Sequence, residues 1–464
     1  MIQHIVKRDG RVVPYDINKI AGAIDKAMKA CGRSGGDESM RIAKIVEERV
    51  EEDGGEPSVE QIQDVVENVL MECGYAFVAK KYILYRAERT RARERNTKLS
   101  RIFDELTFAD SLDSNIKRDN ANVDGDTAMG VMLKYGSESA KDYYIKSILA
   151  PEQSKAHMEG DIHIHDLDYY PTKTTTCVQY DLEDIFNRGF HTKNGTVRTP
   201  QSIQSYATLA TIVFQTNQNE QHGGQSIPAF DHFMAPGVLK SFRKHLENGV
   251  GFICRLHGME DMPALKDLFQ EGVVSIDMTE EQKAALGERL KEIGVNVSVA
   301  ELDTAWRQSY EMTRKDTHQA MEGLVHNLNT MHSRGGNQVV FSSINYGTDT
   351  SAEGRMVMRE LLSATVEGLG SGEVPVFPIQ IFKVKDGVSY TDEDYDAAMA
   401  DFEGAMAGKI KFKAPNFDLL LEACRTTSTS LFPNFLFLDT EYNKNDLWNC
   451  LLYTSPSPRD RSLS

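Results

Sequence analysis

The sequence predicts an α/β protein with a small, mainly helical front unit and a larger region in which buried strands alternate with helices. Continuous apolar runs at 339–345, 374–382 and 431–438 are typical of strands that are buried on both faces. Helical periodicity occurs between them, around 313–333 and 354–370. This alternation favours either an α/β barrel or a doubly wound sheet.

The front unit is predicted to span residues 1–95. A short hairpin comes first, and apolar residues then recur at helical spacing at Ile17, Ile20, Ile24 and Met28. Ser58 and Gln61 have the spacing of a capping box, which predicts the start of another helix. A last helix is predicted from Ala76 to about Arg95, and its charged end is expected to be solvated and to link two domains.

Two further segments are predicted to be helical. One lies within residues 96–150 and includes a polar turn at 120–126. The other, residues 259–306, is charged, has a predicted helix cap at Thr279, and is expected to be an insertion on the outer face.

Composition limits the classes of function. The 464 residues carry a formal net charge of −17, which argues against a general nucleic-acid or membrane binder, so anionic nucleotides would need local basic pockets. No run of 18 apolar residues and no signal-peptide core occurs, so we expect a cytoplasmic protein. The six cysteines form no C-x-x-C pair, and we therefore expect no metal site in this chain.

The hairpin near the N-terminus is a candidate phosphate site. It reads Val6-Lys7-Arg8-Asp9-Gly10-Arg11, and Lys19 falls in the first turn of the following helix. Glycine suits a hairpin tip because it tolerates positive φ. Basic side chains beside such a turn and a helix start can converge on phosphates, although a solvated surface hairpin would have the same composition.

The densest polar cluster is the segment 160–170. Strand alternation would place His163 and His165 on one face, beside Asp166. Two imidazoles on one face can bind metal or phosphate. The alternative is a pair of hydrogen-bonded structural histidines at a strand end.

Cys177 follows three threonines and precedes an apolar-polar alternation. A functional cysteine there would be a thiol or hydrogen-atom donor on the inner face of a strand, whereas a buried, inert cysteine is the alternative. Glycine pairs at 223–224 and 335–336 allow close approach to a phosphate or sugar, or form only turns.

Together these segments resemble the anaerobic (class III) ribonucleoside-triphosphate reductases, which begin with a nucleotide-sensing ATP-cone. The pieces that carry the resemblance are K-R-D-G at 7–10, N-A-N-x-D at 120–124, G-D-I-H-I-H-D-L-D-Y at 160–169 and T-T-C-V at 175–178. The resemblance implies a cone over 1–95, followed over 96–449 by the first part of a ten-stranded glycyl-radical-type β/α barrel.

The implied reaction replaces the 2′-hydroxyl of a ribonucleoside triphosphate with hydrogen. In the family, a radical-SAM activating enzyme makes a glycyl radical, a finger-loop cysteine becomes a thiyl, and a second cysteine on an early strand assists the reduction, often with formate as reductant. Cys177 matches that second cysteine. His163, His165 and Asp166 are candidates for the substrate side, and the family also implies a homodimer and a zinc site.

In the cone, the resemblance implies that ATP permits activity and dATP blocks it. The implied contacts with these effectors are Val6, Lys7, Arg8, Gly10, Lys19 and Ile20. A further deoxynucleoside-triphosphate effector site at the dimer interface is expected between His191 and Gln225.

The chain departs from the family pattern towards its end. It contains no finger-loop G-C-R segment, no R-V-C-G-Y glycyl-radical motif and no paired C-x-x-C zinc motif. We therefore expect a C-terminally truncated, inactive fragment with an exposed sheet edge that favours aggregation. Residues 450–464, rich in Ser, Pro and Arg, resemble translated adapter sequence and are expected to be a non-native disordered tail.

Two other classes of protein share some of these features. One is a nucleotide-binding regulatory module without catalysis, since an ATP-cone also occurs in a transcriptional repressor that begins with a zinc ribbon. The other is a glycyl-radical lyase with adjacent catalytic cysteines. The missing zinc ribbon, the presence of the cone and the lack of adjacent cysteines favour the reductase.

Overall fold

The structure is a computed structural model, and its contacts divide the chain into two compact units, Met1–Ala109 and Asp110–Ser464. It describes residues 2–7, 10–52, 54–95, 103, 107, 127–174, 177–192, 195–218, 220, 222–259, 263–270, 274–331 and 339–438. Arg8, the turn at 120–126, the glycine pair at 335–336 and the tail at 450–464 lie outside the described residues. The predicted boundary at 95/96 stays a prediction.

The front unit consists of an antiparallel hairpin and four helices: β1 (His4–Val6), β2 (Val12–Pro14), α1 (Ile17–Ala30), α2 (Gly36–Glu52), α3 (Val59–Glu72) and α4 (Ala76–Arg95). The Asp16 side chain caps α1 by accepting from the Asn18 N–H at 3.0 Å. The predicted capping box of Ser58 and Gln61 opens α3, and α4 has the predicted bounds, so both predictions are confirmed. The core of the unit is formed by apolar side chains from all four helices, including Ile24, Ile42, Val69 and Val78.

The second unit has one five-stranded parallel sheet with strand order β3-β6-β7-β8-β9 and one small hairpin, β4-β5. Its strands are β3 (Val178–Gln179), β4 (Phe190–Thr192), β5 (Gly195–Val197), β6 (Gln225–Ile227), β7 (Ser342–Tyr346), β8 (Ile379–Val384) and β9 (Asn434–Phe437). Its helices are α5 (Ala128–Ser147), α6 (Pro151–Glu159), α7 (Leu182–Arg188), α8 (Ile203–Asn217), α9 (Phe230–Leu256), α10 (Pro263–Gln270), α11 (Glu280–Glu292), α12 (Val299–Thr330), α13 (Ala352–Glu367), α14 (Asp392–Ala400), α15 (Phe402–Met406) and α16 (Phe417–Ser430).

The winding of the five-stranded sheet distinguishes between the two predicted architectures. Each neighbouring pair is parallel, and the five described strands follow one another across the sheet in chain order. A doubly wound sheet reverses its strand order at a switch point. The uniform order is therefore that of a singly wound β/α arrangement.

One face of this sheet packs against helices. The Tyr346 hydroxyl donates to Gln380 Oε1 at 2.8 Å, and Gln380 Nε2 donates to Thr365 Oγ1 on α13 at 2.7 Å. Ile227, Ile344 and Phe382, which alternation places on the same face, belong to the main apolar core.

The other face of the sheet carries Ile379 and Ile381 of β8 together with a group of buried polar side chains. Alternation places four fully buried polar side chains on it, namely Ser226, Ser343, Asn345 and Lys383. Lys383 Nζ donates to the Pro228 carbonyl at 2.8 Å, which links the ends of β8 and β6. We call these four residues the polar face.

The loop after β7 is fixed by two polar side chains. Asp231, in the first turn of α9, accepts N–H groups of Gly347, Thr348 and Asp349 at 2.8, 3.0 and 2.9 Å. Asn416 Nδ2 donates to the Gly347 carbonyl at 3.1 Å. Gly347 has φ +123°, and a Cβ there would lie 2.5 Å from the Lys383 carbonyl oxygen, so only glycine fits.

The predicted helical segments are largely confirmed. Within 96–150, α5 accounts for the described helix, and Thr279 caps α11 through a capping box with Gln282. Residues 259–306 hold α10, α11 and the start of α12. Their apolar side chains belong to the same core as the sheet.

Candidate functional site

The hairpin of the front unit places the predicted phosphate contacts around one tight turn. Val6 ends β1, the Lys7 N–H donates to the Arg11 carbonyl, and the Gly10 N–H donates to the Lys7 carbonyl, both at 2.9 Å. Gly10 has φ +78°, as predicted for the tip. Lys7, Gly10 and Lys19 are exposed, and Lys19 and Ile20 lie in the first turns of α1.

A second helix start lies beside this hairpin. The Val6 N–H donates to the Pro57 carbonyl at 3.0 Å, and Val6 forms a parallel bridge with Ser58, the residue that caps α3. The hairpin therefore offers exposed lysines and a glycine tip within a few residues of a helix N-terminus, which is an arrangement that suits an anion.

The prediction that His163 and His165 lie on a strand is wrong. Residues 161–169 form bends and turns, and Asp166 has φ +52°. The rings of His163 and His165 nevertheless stay close, with centroids 6.1 Å apart in an edge-to-face arrangement. The physical reason is that Gly160 ends α6 in a left-handed conformation, and turns that close on their own hydrogen bonds follow directly.

Asp166 instead bridges two histidines. His165 Nδ1 lies 2.5 Å from its Oδ2, and His222 Nε2 lies 3.0 Å from its Oδ1. Tyr169 stacks on His222 with ring centroids 3.8 Å apart. Burial raises the pKa of the Asp166 carboxyl, but the hydrogen bonds and positive charges of His222 and His165 outweigh it and leave the pKa below its ordinary value.

This cluster lies at the same edge of the sheet as Cys177. His222 precedes β6, just as Cys177 precedes β3, and these strands are parallel neighbours. The Thr174 hydroxyl donates to the Glu220 carbonyl at 3.1 Å, and the Val178 N–H donates to the Gly224 carbonyl at 3.1 Å. The structure thus brings together three predicted segments, namely 160–170, Cys177 and the glycine pair at 223–224.

Cys177 is half-buried, is not in a disulfide, and lies one residue before β3 rather than inside it. Counting back along the strand places it on the face shared by Gln179, Ser226 and Ser343. Its thiol position is therefore continuous with the polar face and not with the helix-packed face.

The polar face was not predicted from the sequence. Ser343 is fully buried, and its hydroxyl has no hydrogen-bond partner among the described residues. A buried hydroxyl without a partner destabilises a fold unless something else satisfies it. The alternation of Ser343 and Asn345 with Ile344 and Tyr346 is the period-two signal that could have revealed this face.

Within the described part of the chain, no group of three or more His, Cys, Asp or Glu side chains is arranged to hold a metal ion. These residues therefore do not fit a zinc ion. In the same part of the chain, no helix combines the length and the apolar content that crossing a bilayer requires.

Comparison with known families decides the identity of the chain. The family model described as anaerobic ribonucleoside-triphosphate reductase matches residues 119–455, and the ATP cone domain model matches residues 3–91. The chain belongs to the anaerobic ribonucleoside-triphosphate reductase family. This family is a family of enzymes, and the expected resemblance is confirmed.

Curated relatives agree with this assignment. The anaerobic ribonucleoside-triphosphate reductases of Salmonella typhimurium and Escherichia coli are each 26% identical to this chain over 441 residues, which is 95% of this chain and 52% of each relative. The chain spans about half the length of these relatives. The vitamin B12-dependent ribonucleoside-diphosphate reductase of Thermoplasma acidophilum is 48% identical over 99 residues, or 20% of this chain and 13% of that protein.

Proposed function

We propose that this member of the reductase family serves the anaerobic reduction of ribonucleoside triphosphates to 2′-deoxyribonucleoside triphosphates. The observation that supports this function most directly is the position of Cys177, just before β3 and next to the polar face of a singly wound parallel sheet. A sugar is recognised by hydroxyl, amide and ammonium groups, and these are the groups that the polar face presents.

In this proposal the polar face orients the ribose. The Ser343 hydroxyl can donate to or accept from a ribose hydroxyl, which satisfies the group that has no partner in the described protein. Asn345 and Lys383 lie two and four residues further towards the carboxyl ends of the strands than Ser343, so they are not placed at the ribose carbon on which Cys177 acts. A rigid sheet fixes the Ser343 hydroxyl relative to the Cys177 thiol, as a reaction at a single carbon requires.

Cys177 acts on the ribose as a thiol. Its proton goes to the departing 2′-hydroxyl, which leaves as water, and the thiolate that remains regains a proton from solvent. A hydride equivalent, which is two electrons and a proton, replaces the carbon–oxygen bond with a carbon–hydrogen bond. Formate, oxidised to carbon dioxide, is one reductant that balances this step. The glycyl radical of the family, when present, supplies the initiating hydrogen-atom abstraction, and no residue described here replaces it.

The five parallel strands correspond, in this proposal, to half of a ten-stranded barrel, with the cone over 1–95 and the barrel portion over 96–449. The finger-loop G-C-R segment, the R-V-C-G-Y glycyl-radical motif and the paired C-x-x-C zinc motif of the family do not occur in these 464 residues. We propose that the 464 residues alone do not turn over.

The cone is proposed to bind ATP and dATP through Val6, Lys7, Arg8, Gly10, Lys19 and Ile20. Control of activity requires the two effectors to prefer different states of the protein. A second deoxynucleotide site is proposed within 191–225, a stretch that holds the end of the β4-β5 hairpin and α8. A homodimer and a radical-SAM activating enzyme are the proposed protein partners.

The proposal is tested by alkylation of Cys177 in the intact chain, read by mass spectrometry of the peptide that contains it. We expect cytidine triphosphate to slow alkylation of Cys177 by about tenfold, whereas inorganic triphosphate leaves it unchanged because the sugar provides the protection. Cys73, half-buried in the front unit, is the internal control in the same digest.

The experiment is performed with Lys7→Ala and Lys19→Ala in the chain, so that binding at the cone does not contribute. Suppose that Cys177 is alkylated at the same rate with and without cytidine triphosphate, and that the unsubstituted chain binds ATP. These two results would favour a nucleotide-binding regulatory module without catalysis.

A further inference from the structure

A cleft of about 490 Å³ lies on the helical side of the second unit, between α13, α16 and the segment 405–415. It is lined by three arginines, Arg355, Arg359 and Arg425, and by the two acids Asp418 and Glu422. None of these residues belongs to the hairpin of the front unit or to the polar face. The cleft therefore shares no residue with those two sites or with the deoxynucleotide site proposed within 191–225.

Arg355 uses most of its donors to hold the fold. Its guanidinium donates to Asn416 Oδ1 at 2.8 Å, to the Pro415 carbonyl, and to both carboxylate oxygens of Asp418 at 3.0 and 2.7 Å. Because these bonds tie α13 to the start of α16, Arg355 has a structural role.

Arg359 and Arg425 have donors to spare. A guanidinium group carries five N–H donors. Arg359 makes one hydrogen bond to Asp418 at 2.8 Å and one longer ion pair to Glu422 at 3.6 Å, and its side chain is 41% exposed. Arg425 is exposed and makes one hydrogen bond, to the Met406 carbonyl at 2.9 Å.

The lining of the cleft also includes an apolar wall, which is bordered by positive charge. Ile410 and Phe412 line the cleft, while Lys409, Lys411 and Lys413 alternate with them and are exposed. Lys413 pairs with Glu393. In a chain with a net charge of −17, this is a local concentration of cations beside an aromatic surface.

The acids in the cleft oppose an incoming anion less than their number indicates. Asp418 is shared by two arginines. Burial raises the pKa of the Glu422 carboxyl, and although Arg359 lowers it, Asp418 and Glu360 raise it further, so that the pKa stays above its ordinary value.

We propose that this cleft binds a small nucleoside monophosphate, with its phosphate on Arg359 and Arg425 and its base against Ile410 and Phe412. A guanidinium group can donate two parallel hydrogen bonds to two oxygens of one phosphate. The planar base would pack against the apolar wall. The cleft would serve as a ligand site on the helical layer, at α13, which follows β7, and α16, which precedes β9.

The first test uses the intact chain and an arginine-specific reagent, phenylglyoxal, with adenosine monophosphate as the probe. We expect adenosine monophosphate, at about ten times the Kd measured by calorimetry, to slow modification of Arg425 by about tenfold. Arg307, an exposed arginine of α12 that pairs with Asp303, is the internal control and should be unchanged. An unchanged modification rate at Arg425 would overturn the proposal.

The second test is calorimetry with the same probe, in a chain that carries Lys7→Ala and Lys19→Ala to remove binding at the cone. Arg359→Gln with Arg425→Gln should abolish the binding heat, whereas Arg307→Gln should retain it. The Arg425 side chain is exposed and makes one hydrogen bond, so we expect Arg425→Gln alone to leave the fold intact. This single substitution should weaken binding of adenosine monophosphate by about tenfold. Retained binding in the double variant would contradict the proposal.

The third test repeats the phenylglyoxal experiment with inorganic phosphate in place of adenosine monophosphate. Protection of Arg425 by phosphate as strong as that by adenosine monophosphate would show that the apolar wall adds nothing, and would overturn the nucleoside part of the proposal. These readouts do not involve Cys177, so their failure is distinguishable from failure of the proposed reductase function.

Discussion

The hairpin of the front unit and the polar face of the second unit are both candidate nucleotide sites, but they are built in opposite ways. The hairpin collects exposed side chains from residues 6–20 around a single glycine turn. The polar face collects fully buried side chains from β6, β7 and β8. More than a hundred residues separate β6 from β7 along the chain.

The two kinds of site place different demands on the stability of the fold. An exposed site depends on side chains that water already solvates, so its residues can be removed with little loss of stability. A buried polar face needs a supporting shell, and here the Asp231 carboxylate and the Asn416 amide hold the loop at the end of β7.

The largest effect is expected from Asp231→Ala. Its fully buried carboxylate accepts three backbone N–H groups, and removal leaves all three without an acceptor. We expect the free energy of unfolding of the second unit to fall by about 4 kcal/mol, as measured by urea denaturation. Asp277→Ala, at an exposed aspartate of the same unit, is the control and should change it by less than about 0.5 kcal/mol.

The next effect is expected in the front unit. Lys7→Ala with Lys19→Ala should weaken ATP and dATP binding by the intact chain about 100-fold, close to 2.7 kcal/mol, because two charge-assisted contacts to phosphate are lost. The unfolding free energy should stay the same, since both side chains are exposed. Lys26→Ala, at an exposed lysine of α1, is the control. If calorimetry gives the double variant the same affinity for ATP and dATP as the unsubstituted chain, the hairpin is not part of the effector site.

A smaller effect on the free energy of unfolding is expected to distinguish the two faces of the sheet. Ser342 and Ser343 are adjacent and fully buried, but the Ser342 hydroxyl donates to the Val340 carbonyl at 3.2 Å, whereas the Ser343 hydroxyl has no partner among the described residues. Ser342→Ala should destabilise the fold by about 1 kcal/mol.

Ser343→Ala should leave stability unchanged or raise it, because an unsatisfied buried hydroxyl is removed. It should also weaken the protection of Cys177 by cytidine triphosphate. If Ser343→Ala destabilises the fold as much as Ser342→Ala and leaves the protection intact, the polar face has only a structural role.

The smallest effect is a dependence on pH. The pKa of Asp166 is lowered in the folded protein, so its carboxylate contributes stability above about pH 4, and that contribution disappears as the pH falls through the folded pKa. Asp166→Asn should therefore flatten the stability profile below pH 4 when unfolding is measured across pH 2–7. Identical slopes in both proteins would show that the His165–Asp166–His222 cluster is not formed.

Local signals in the sequence predicted much of the fold. The capping boxes at Ser58 and Thr279 and the helix from Ala76 to Arg95 depend only on neighbouring residues. The strands β8 and β9 begin later than their apolar runs predict. The runs include Pro378 and Pro433, which cannot donate to a ladder, so the paired segments start just after them.

The parts of the site that are made by tertiary contact were harder to predict. The partner of Asp166, His222, lies 56 residues away and becomes its neighbour only because β3 pairs with β6. Lys383 appeared in the sequence only as the residue after an apolar run, and its place on the polar face depends on the register of β7 and β8. The hairpin, in contrast, is local and could be predicted residue by residue.

The central claim is that Cys177 faces a bound ribose. A uridine triphosphate analogue with a chloroacetamide group at the ribose 2′ position tests it most directly, with the labelled residue identified by peptide mass spectrometry. We predict an adduct on Cys177 that unmodified uridine triphosphate prevents. Labelling of Cys254 or Cys424 with Cys177 intact would contradict the account.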